Sequence, residues 1–193
     1  MNAFKNVQVM NKQIIRMKIQ IDHKEFELLI EHEQVKKRLR LIGIQMNVAY
    51  ENKVPVFVGV LNGCFMFMAD LMKQIHIASE VCFVKMASYE GDKRADDVKH
   101  LIGLNHSLKG RDVIVVEDIV DTGNTLKCIL DLIRLQEPAS IAVCTLLLKP
   151  DALTHEFEEI AYVGFEIENQ FVVGYGLDYN GLGRNLKDIY RAI

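Results

Sequence analysis

The residues with the most evident chemistry stand together in Glu117-Asp118-Ile119-Val120-Asp121-Thr122-Gly123-Asn124-Thr125. Thr122, Gly123, Asn124 and Thr125 offer backbone N–H groups, hydroxyls and a glycine that lets the chain approach a bound anion closely. Leu126, Ile129, Leu130 and Ile133 follow at helical spacing, so the loop is expected at a helix N-terminus, where the dipole favours a phosphate. The acids beside such a loop must face something other than the phosphate. Sugar hydroxyls, a divalent metal or a transferable proton would each satisfy them.

The elements around this stretch fix where it sits. The β-branched run of residues 113–116 reads as a parallel strand buried on both faces, ending where the acids begin. Val35, Leu39, Ile42, Met46 and Ala49 predict an amphipathic helix whose other face, with Lys36, Lys37, Arg38 and Arg40, is solvated. Residues 54–61 read as a strand, Phe65, Met68, Ala69 and Met72 as a helical stripe, and residues 81–84 as the next strand, which makes a βαβ unit. The opening stretch, its helix, a break at Glu137-Pro138 and a strand over 141–148 make a second. Two such units imply an α/β fold with a mostly parallel sheet. A short strand is expected within residues 14–21, and short strands with ligand loops beyond Asp151. Residues 86–100 are polar and without apolar period, and are expected to form a loop.

Composition narrows the partners. The chain has 193 residues, 50% hydrophobic, which suits one domain with an ample core. A formal net charge of −3 without a dense basic stretch argues against nucleic acid or a membrane surface and for a small molecule. Cys64, Cys82, Cys128 and Cys144 lack C-x-x-C pairing and are expected as reduced thiols. The first 20 residues lack an uninterrupted apolar run, and the cytoplasm is the expected location. The six histidines, His155 among them, show no metal-ligand spacing and are expected in surface or supporting roles. No G-x-G-x-x-G or Gly-x-Ser-x-Gly arrangement occurs.

In an open parallel sheet, ligands bind beyond the carboxyl ends of the strands, so the turns after Leu61, Val84, Val120 and Leu148 should converge on one crevice. The residues in those turns resemble a known set. Residues 113–125 resemble the phosphoribosyl-diphosphate (PRPP) signature of type I phosphoribosyltransferases, and their surroundings resemble the hypoxanthine-guanine branch. The matching parts are Leu61-Asn62-Gly63-Cys64, Ser88-Tyr89, Lys149, Val163-Gly164-Phe165-Glu166, Phe171-Val172-Val173-Gly174-Tyr175, Leu177-Asp178-Tyr179-Asn180 and Arg184. The likeness runs from about residue 25 to the end.

The resemblance implies a single domain over 1–193: a twisted sheet flanked by helices as core (about 35–150), a small hood from about 1–30 and 151–193, and a lid over about 86–100. It implies transfer of ribose 5-phosphate from PRPP to N9 of hypoxanthine, with guanine as a second substrate, releasing diphosphate. Thr122, Gly123, Asn124 and Thr125 would hold the 5-phosphate. Glu117 and Asp118 would face the ribose hydroxyls, directly or through Mg²⁺, and Asp121 would take the N7 proton. Leu61, Asn62, Gly63 and Arg184 would bind the diphosphate, with Asp178 at its Mg²⁺. Lys149 would donate to the purine O6, Phe171 would stack on the base, and Val172 and Asp178 would meet its edge. Ser88 and Tyr89 would close the lid against water. A homodimer or homotetramer is implied as well. Asn62 departs from the pattern, because many members carry lysine there, in a turn that can hold a cis peptide. The competing class is a PRPP-binding regulator of the same fold without catalysis, which would not need Asp121, Lys149 and Phe171 together.

Overall fold

Val56, Val58, Val113 and Val115 pack on one side of a sheet, and Phe57, Ile114 and Val116 on the other. Successive strand residues point to opposite faces, so this alternation needs a layer on each side. The computed structural model describes residues 6–7, 17–87, 100–104 and 107–193. Its strands in chain order are β1 (Asn6–Val7), β2 (Lys18–Ile21), β3 (Lys24–Ile30), β4 (Val56–Val60), β5 (Glu80–Ala87), β6 (His100–Ile102), β7 (Asp112–Val120), β8 (Ser140–Leu148), β9 (Ile160–Glu166), β10 (Val172–Val173) and β11 (Ile189–Ala192). The helices are α1 (His32–Ala49), α2 (Phe65–Met72) and α3 (Asn124–Arg134).

One layer is made by α1 and α2, through Val35, Leu39, Ile42, Met46, Phe67, Met68 and Leu71. The other is α3, through Leu126, Ile129, Leu130 and Ile133. Each such fully buried side chain contributes roughly 1.5–3 kcal/mol. α1 starts in a capping box, with the Glu31 N–H donating to Gln34 Oε1 at 2.9 Å. Its basic face is not wholly solvated as expected: Arg38 Nε donates to the Gly164 carbonyl on β9 at 2.6 Å.

The larger sheet runs β6-β5-β4-β7-β8-β9. From β4 the chain steps outward to β5, then returns to lay β7 on the other side of β4 and continues to β8 and β9. The winding therefore reverses between β4 and β7, and a crevice opens beyond their carboxyl ends. A second, antiparallel sheet, β1-β2-β3-β11-β10, which we term the hood sheet, has Ile19, Ile21, Phe26, Val173 and Tyr190 as its core. Two bonds tie hood to core: the His32 N–H to Asp188 Oδ1 at 2.7 Å, and the Tyr175 hydroxyl to Asp70 Oδ2 at 2.7 Å.

Some boundaries differ from expectation. β7 does not end before the acids but runs through Glu117 and Asp118 to Val120, because β8 pairs along it as far as Val120 with Leu148. The loop expected over 86–100 loses its ends, since β5 reaches Ala87 and pairs antiparallel with β6 from His100. Residues 88–99, with Ser88 and Tyr89 of the expected lid, lie outside the described residues. β9, within the segment beyond 151 where short strands were expected, pairs with β8 in the larger sheet. The short strand expected within 14–21 is present as β2 over 18–21, and 14–16 lie outside the described residues. Among the described residues no helix is long and apolar enough to cross a membrane, and none of the four cysteines forms a disulfide.

Candidate active site

At the winding reversal lies a cavity of about 300 Å³ lined by Leu61, Asn62, Gly63, the stretch from Glu117 to Gly123, Thr125 and Leu126. Two turns make it: the one leaving β4 and the one leaving β7. The Leu61–Asn62 peptide is cis, and Gly63 brings the first turn against the second. A Cβ on Gly63 would stand 1.6 Å from Asp118 Oδ2, so no other residue fits there without displacing that carboxylate.

Gly123 is the N-cap of α3, with φ 84°, a conformation that glycine adopts freely. It frees the first amides of α3, the anion-binding end of a helix. Its back is covered, because a Cβ there would meet the Phe157 ring at 2.5 Å. Thr154 fixes the loop from the same side: its N–H and its hydroxyl both donate to the Thr122 carbonyl, at 3.0 and 2.9 Å. The Asn124 side chain turns away from the cavity, with Oδ1 2.9 Å from His155 Nε2. Sequence reasoning missed Thr154 and Phe157 and left His155 without a specific duty; no motif in 153–157 signals that this segment backs the loop.

Glu117 is almost fully buried. Burial, and then the Asp118 carboxylate beside it, push its carboxyl well above the usual range. Burial raises Asp118 also, against the pull of the Ile119 N–H and the Arg184 charge. Ionising both acids here is thus unfavourable, and the chain offsets that cost only in part. Asp178 does not join it: Asp178 Oδ1 lies 2.5 Å from Arg184 Nη2, and Oδ2 accepts the Gly181 N–H at 2.7 Å. Among the described residues no three carboxylates, histidines or cysteines gather closely enough to hold a metal. Arg184 is held further by donating from Nη1 to the Gly176 carbonyl at 2.7 Å.

Asp121 and Lys149 follow directly on paired ends of β7 and β8, and Lys149 Nζ lies 2.5 Å from Asp121 Oδ2. The lysine is buried and the aspartate is 46% exposed. This arrangement offers a proton acceptor and a fixed cationic donor side by side. Phe171, in an apolar run, is 45% exposed in place of being core. It stands edge-to-face to Tyr179 at 5.7 Å. Val172 is on β10, the last strand of the hood sheet, and pairs with Arg191 on one side only. The cavity therefore gathers 61–63, 117–118, 121–123 and 125, with Lys149 behind; Phe171, Val172, Asp178 and Arg184 sit on the hood.

The phosphoribosyl transferase domain family matches the chain over residues 28–180. The hypoxanthine phosphoribosyltransferase of Escherichia coli (strain K12) is 40% identical over 170 residues, covering 86% of this chain and 95% of that protein. That of Haemophilus influenzae is 42% identical over 171 residues, with 86% and 95% covered. Among solved structures, a hypoxanthine phosphoribosyltransferase from Staphylococcus aureus superposes with a TM-score of 0.77 at 37% identity, covering 86% of this chain and 91% of that one.

Proposed function

We propose, from the premise that this chain belongs to the phosphoribosyl transferase domain family, that it transfers the 5-phosphoribosyl group of PRPP to N9 of hypoxanthine and guanine. The observation that carries the choice of base is the Lys149–Asp121 pair at 2.5 Å. In a 6-oxopurine the N7 hydrogen and the O6 acceptor lie on one edge. A carboxylate and an ammonium side by side match that edge, and a 6-amino group would set donor against donor.

The remaining residues divide accordingly. Amides and hydroxyls of Thr122, Gly123, Asn124 and Thr125 take the 5-phosphate. Glu117 and Asp118 face the ribose diol, and Asp121 removes the N7 proton as N9 attacks the sugar carbon. Phe171 stacks on the base, the free edge of Val172 meets its rim, and Leu61, Asn62, Gly63, Asp178 and Arg184 attend the diphosphate. In this reading Ser88 and Tyr89 keep water from the reacting sugar carbon.

Mg²⁺ is the implied cation, and the buried Glu117–Asp118 pair, oxygen-rich and under-compensated, fits a hard ion. These two residues would hold it, with Asp178 toward the diphosphate. Bound there, Mg²⁺ would neutralise charge gathering on the departing diphosphate. A homodimer or homotetramer completes the reading, supported by the exposed apolar side chains of Phe65 on α2 and of Val81 and Phe83 on β5.

Mixing the protein with PRPP, Mg²⁺ and each of hypoxanthine, guanine, xanthine and adenine tests the proposal. Nucleotide should form from hypoxanthine and guanine. No turnover of any base would leave only a PRPP-binding protein, and turnover of adenine alone would overturn the role of Lys149.

A further inference from the structure

The hairpin between β2 and β3 has its tip ahead of residues 28–180, where the family match lies. Its tip is joined to the hood residues that carry Phe171 and Asp178. Asp22 turns the hairpin with φ 54°, and the three tip residues then reach residues 171–180, far along the sequence. Lys24 Nζ lies over the Phe171 ring, 5.1 Å from its centroid, and 5.7 Å from that of Tyr179. His23 bridges Asp22 and Tyr179: Nδ1 is 2.8 Å from Asp22 Oδ2, and Nε2 is 2.9 Å from the Tyr179 hydroxyl. An ionised carboxylate only accepts, so Nδ1 carries a hydrogen, and in the neutral ring Nε2 then accepts from the tyrosine hydroxyl. Asn180 Nδ2 adds a longer bond to Asp22 Oδ2 at 3.4 Å. Phe26, on β3, backs both rings, at 6.4 Å from Phe171 and 5.7 Å from Tyr179.

Phe171 is 45% exposed and would be free to change rotamer without these neighbours. A cation over one face, an edge-on tyrosine and a tilted phenylalanine fix the plane of its ring. The Asp22–His23–Tyr179 chain fixes the turn just after Asp178. We propose that the β2–β3 hairpin tip is part of the purine site, with Lys24 and His23 as positioning residues that hold the Phe171 ring and the 178–181 turn ready for the base. The proposal rests on the reading that Phe171 stacks on the purine. The gain is preorganisation, which appears as affinity for the base and not for PRPP.

A cation over an aromatic ring at an exposed site is worth about two- to fivefold in affinity. Lys24→Met keeps the stem and removes the charge. It should raise the base KM about two- to fivefold with the PRPP KM unchanged, and Lys24→Arg should restore it. His23→Ala should move the base KM in the same direction. A fall in base KM on Lys24→Met would overturn the proposal, since the ammonium would then occupy the base's own place. Base and PRPP KM rising together with a lowered Tm would also overturn it, leaving the hairpin a matter of hood stability. Phe171→Ala in the same assay separates the two layers of inference. An unchanged base KM there would remove stacking itself, whereas a raised one beside a silent Lys24→Met would remove the hairpin's part alone.

Discussion

Lys149 Nζ stands 2.5 Å from Asp121 Oδ2, a buried ammonium against a half-exposed carboxylate. The sheet register makes this contact: Val120 and Leu148 are partners across β7 and β8, and the Lys149 N–H donates to the Val120 carbonyl at 3.0 Å. A buried cation requires such a partner. The partner's exposure leaves the carboxylate in reach of solvent, so the pair neutralises the buried ammonium without sealing off Asp121.

Lys149→Met fills a similar volume and leaves Asp121 hydrated. Hydrogen bonds to charged groups contribute about 1.5–3 kcal/mol, so the KM for hypoxanthine should rise roughly tenfold or more and its advantage over adenine should shrink. Steady-state kinetics with both bases checks this. An unaltered hypoxanthine-to-adenine ratio would place O6 recognition elsewhere.

The acids at the end of β7 link stability to pH. Burial, and then Asp118, push Glu117 well above the carboxylate range, and burial raises Asp118 as well. A carboxyl whose pKa is higher in the folded than in the unfolded chain binds its proton more tightly when folded. Its stabilising contribution is complete below the unfolded value of about 4 and is lost as pH rises through the folded value. Glu117→Gln cannot ionise and escapes that loss. Without ligand its Tm should exceed that of the parent protein at neutral pH, the two converging in acid, while PRPP binding weakens. Melting curves across pH decide this; a parent protein as stable as the variant at neutral pH would mean the pair ionises at no cost.

Asn62 lies in the cis-peptide turn lining the cavity. Asparagine keeps donors there but lacks the charge that many relatives place at this point. Asn62→Lys should lower the PRPP KM, with an effect that fades at high salt. Unchanged PRPP affinity would show that the position makes no electrostatic contact with the diphosphate.

What the sequence revealed follows from how local each signal was. The strand, loop and helix around Thr122 were legible because the β-branched run, the glycine and the helical stripe are contiguous. The position of Phe171 came from the resemblance; an aromatic in an apolar run gives no sign of exposure. The end of β7 was misplaced because pairing with β8 sets it, not its own residues, and β6 has only three residues. Contacts across long separations left no trace: Thr154 to Thr122, His155 to Asn124, and His23 to Tyr179, 156 positions apart. Asp178 and Arg184, both expected at the diphosphate end, are paired with each other, a contact that their spacing alone did not show.

Asp121→Asn tests the centre of this account most directly, by comparing IMP formation from PRPP and hypoxanthine with IMP binding to the same variant. Asparagine keeps the shape and an acceptor for Lys149 but cannot take a proton. Turnover should fall about a hundredfold or more, with IMP affinity within a few-fold of the parent. If IMP binding collapses in proportion to turnover, Asp121 is scaffolding for the phosphate loop and the base that removes the N7 proton lies elsewhere.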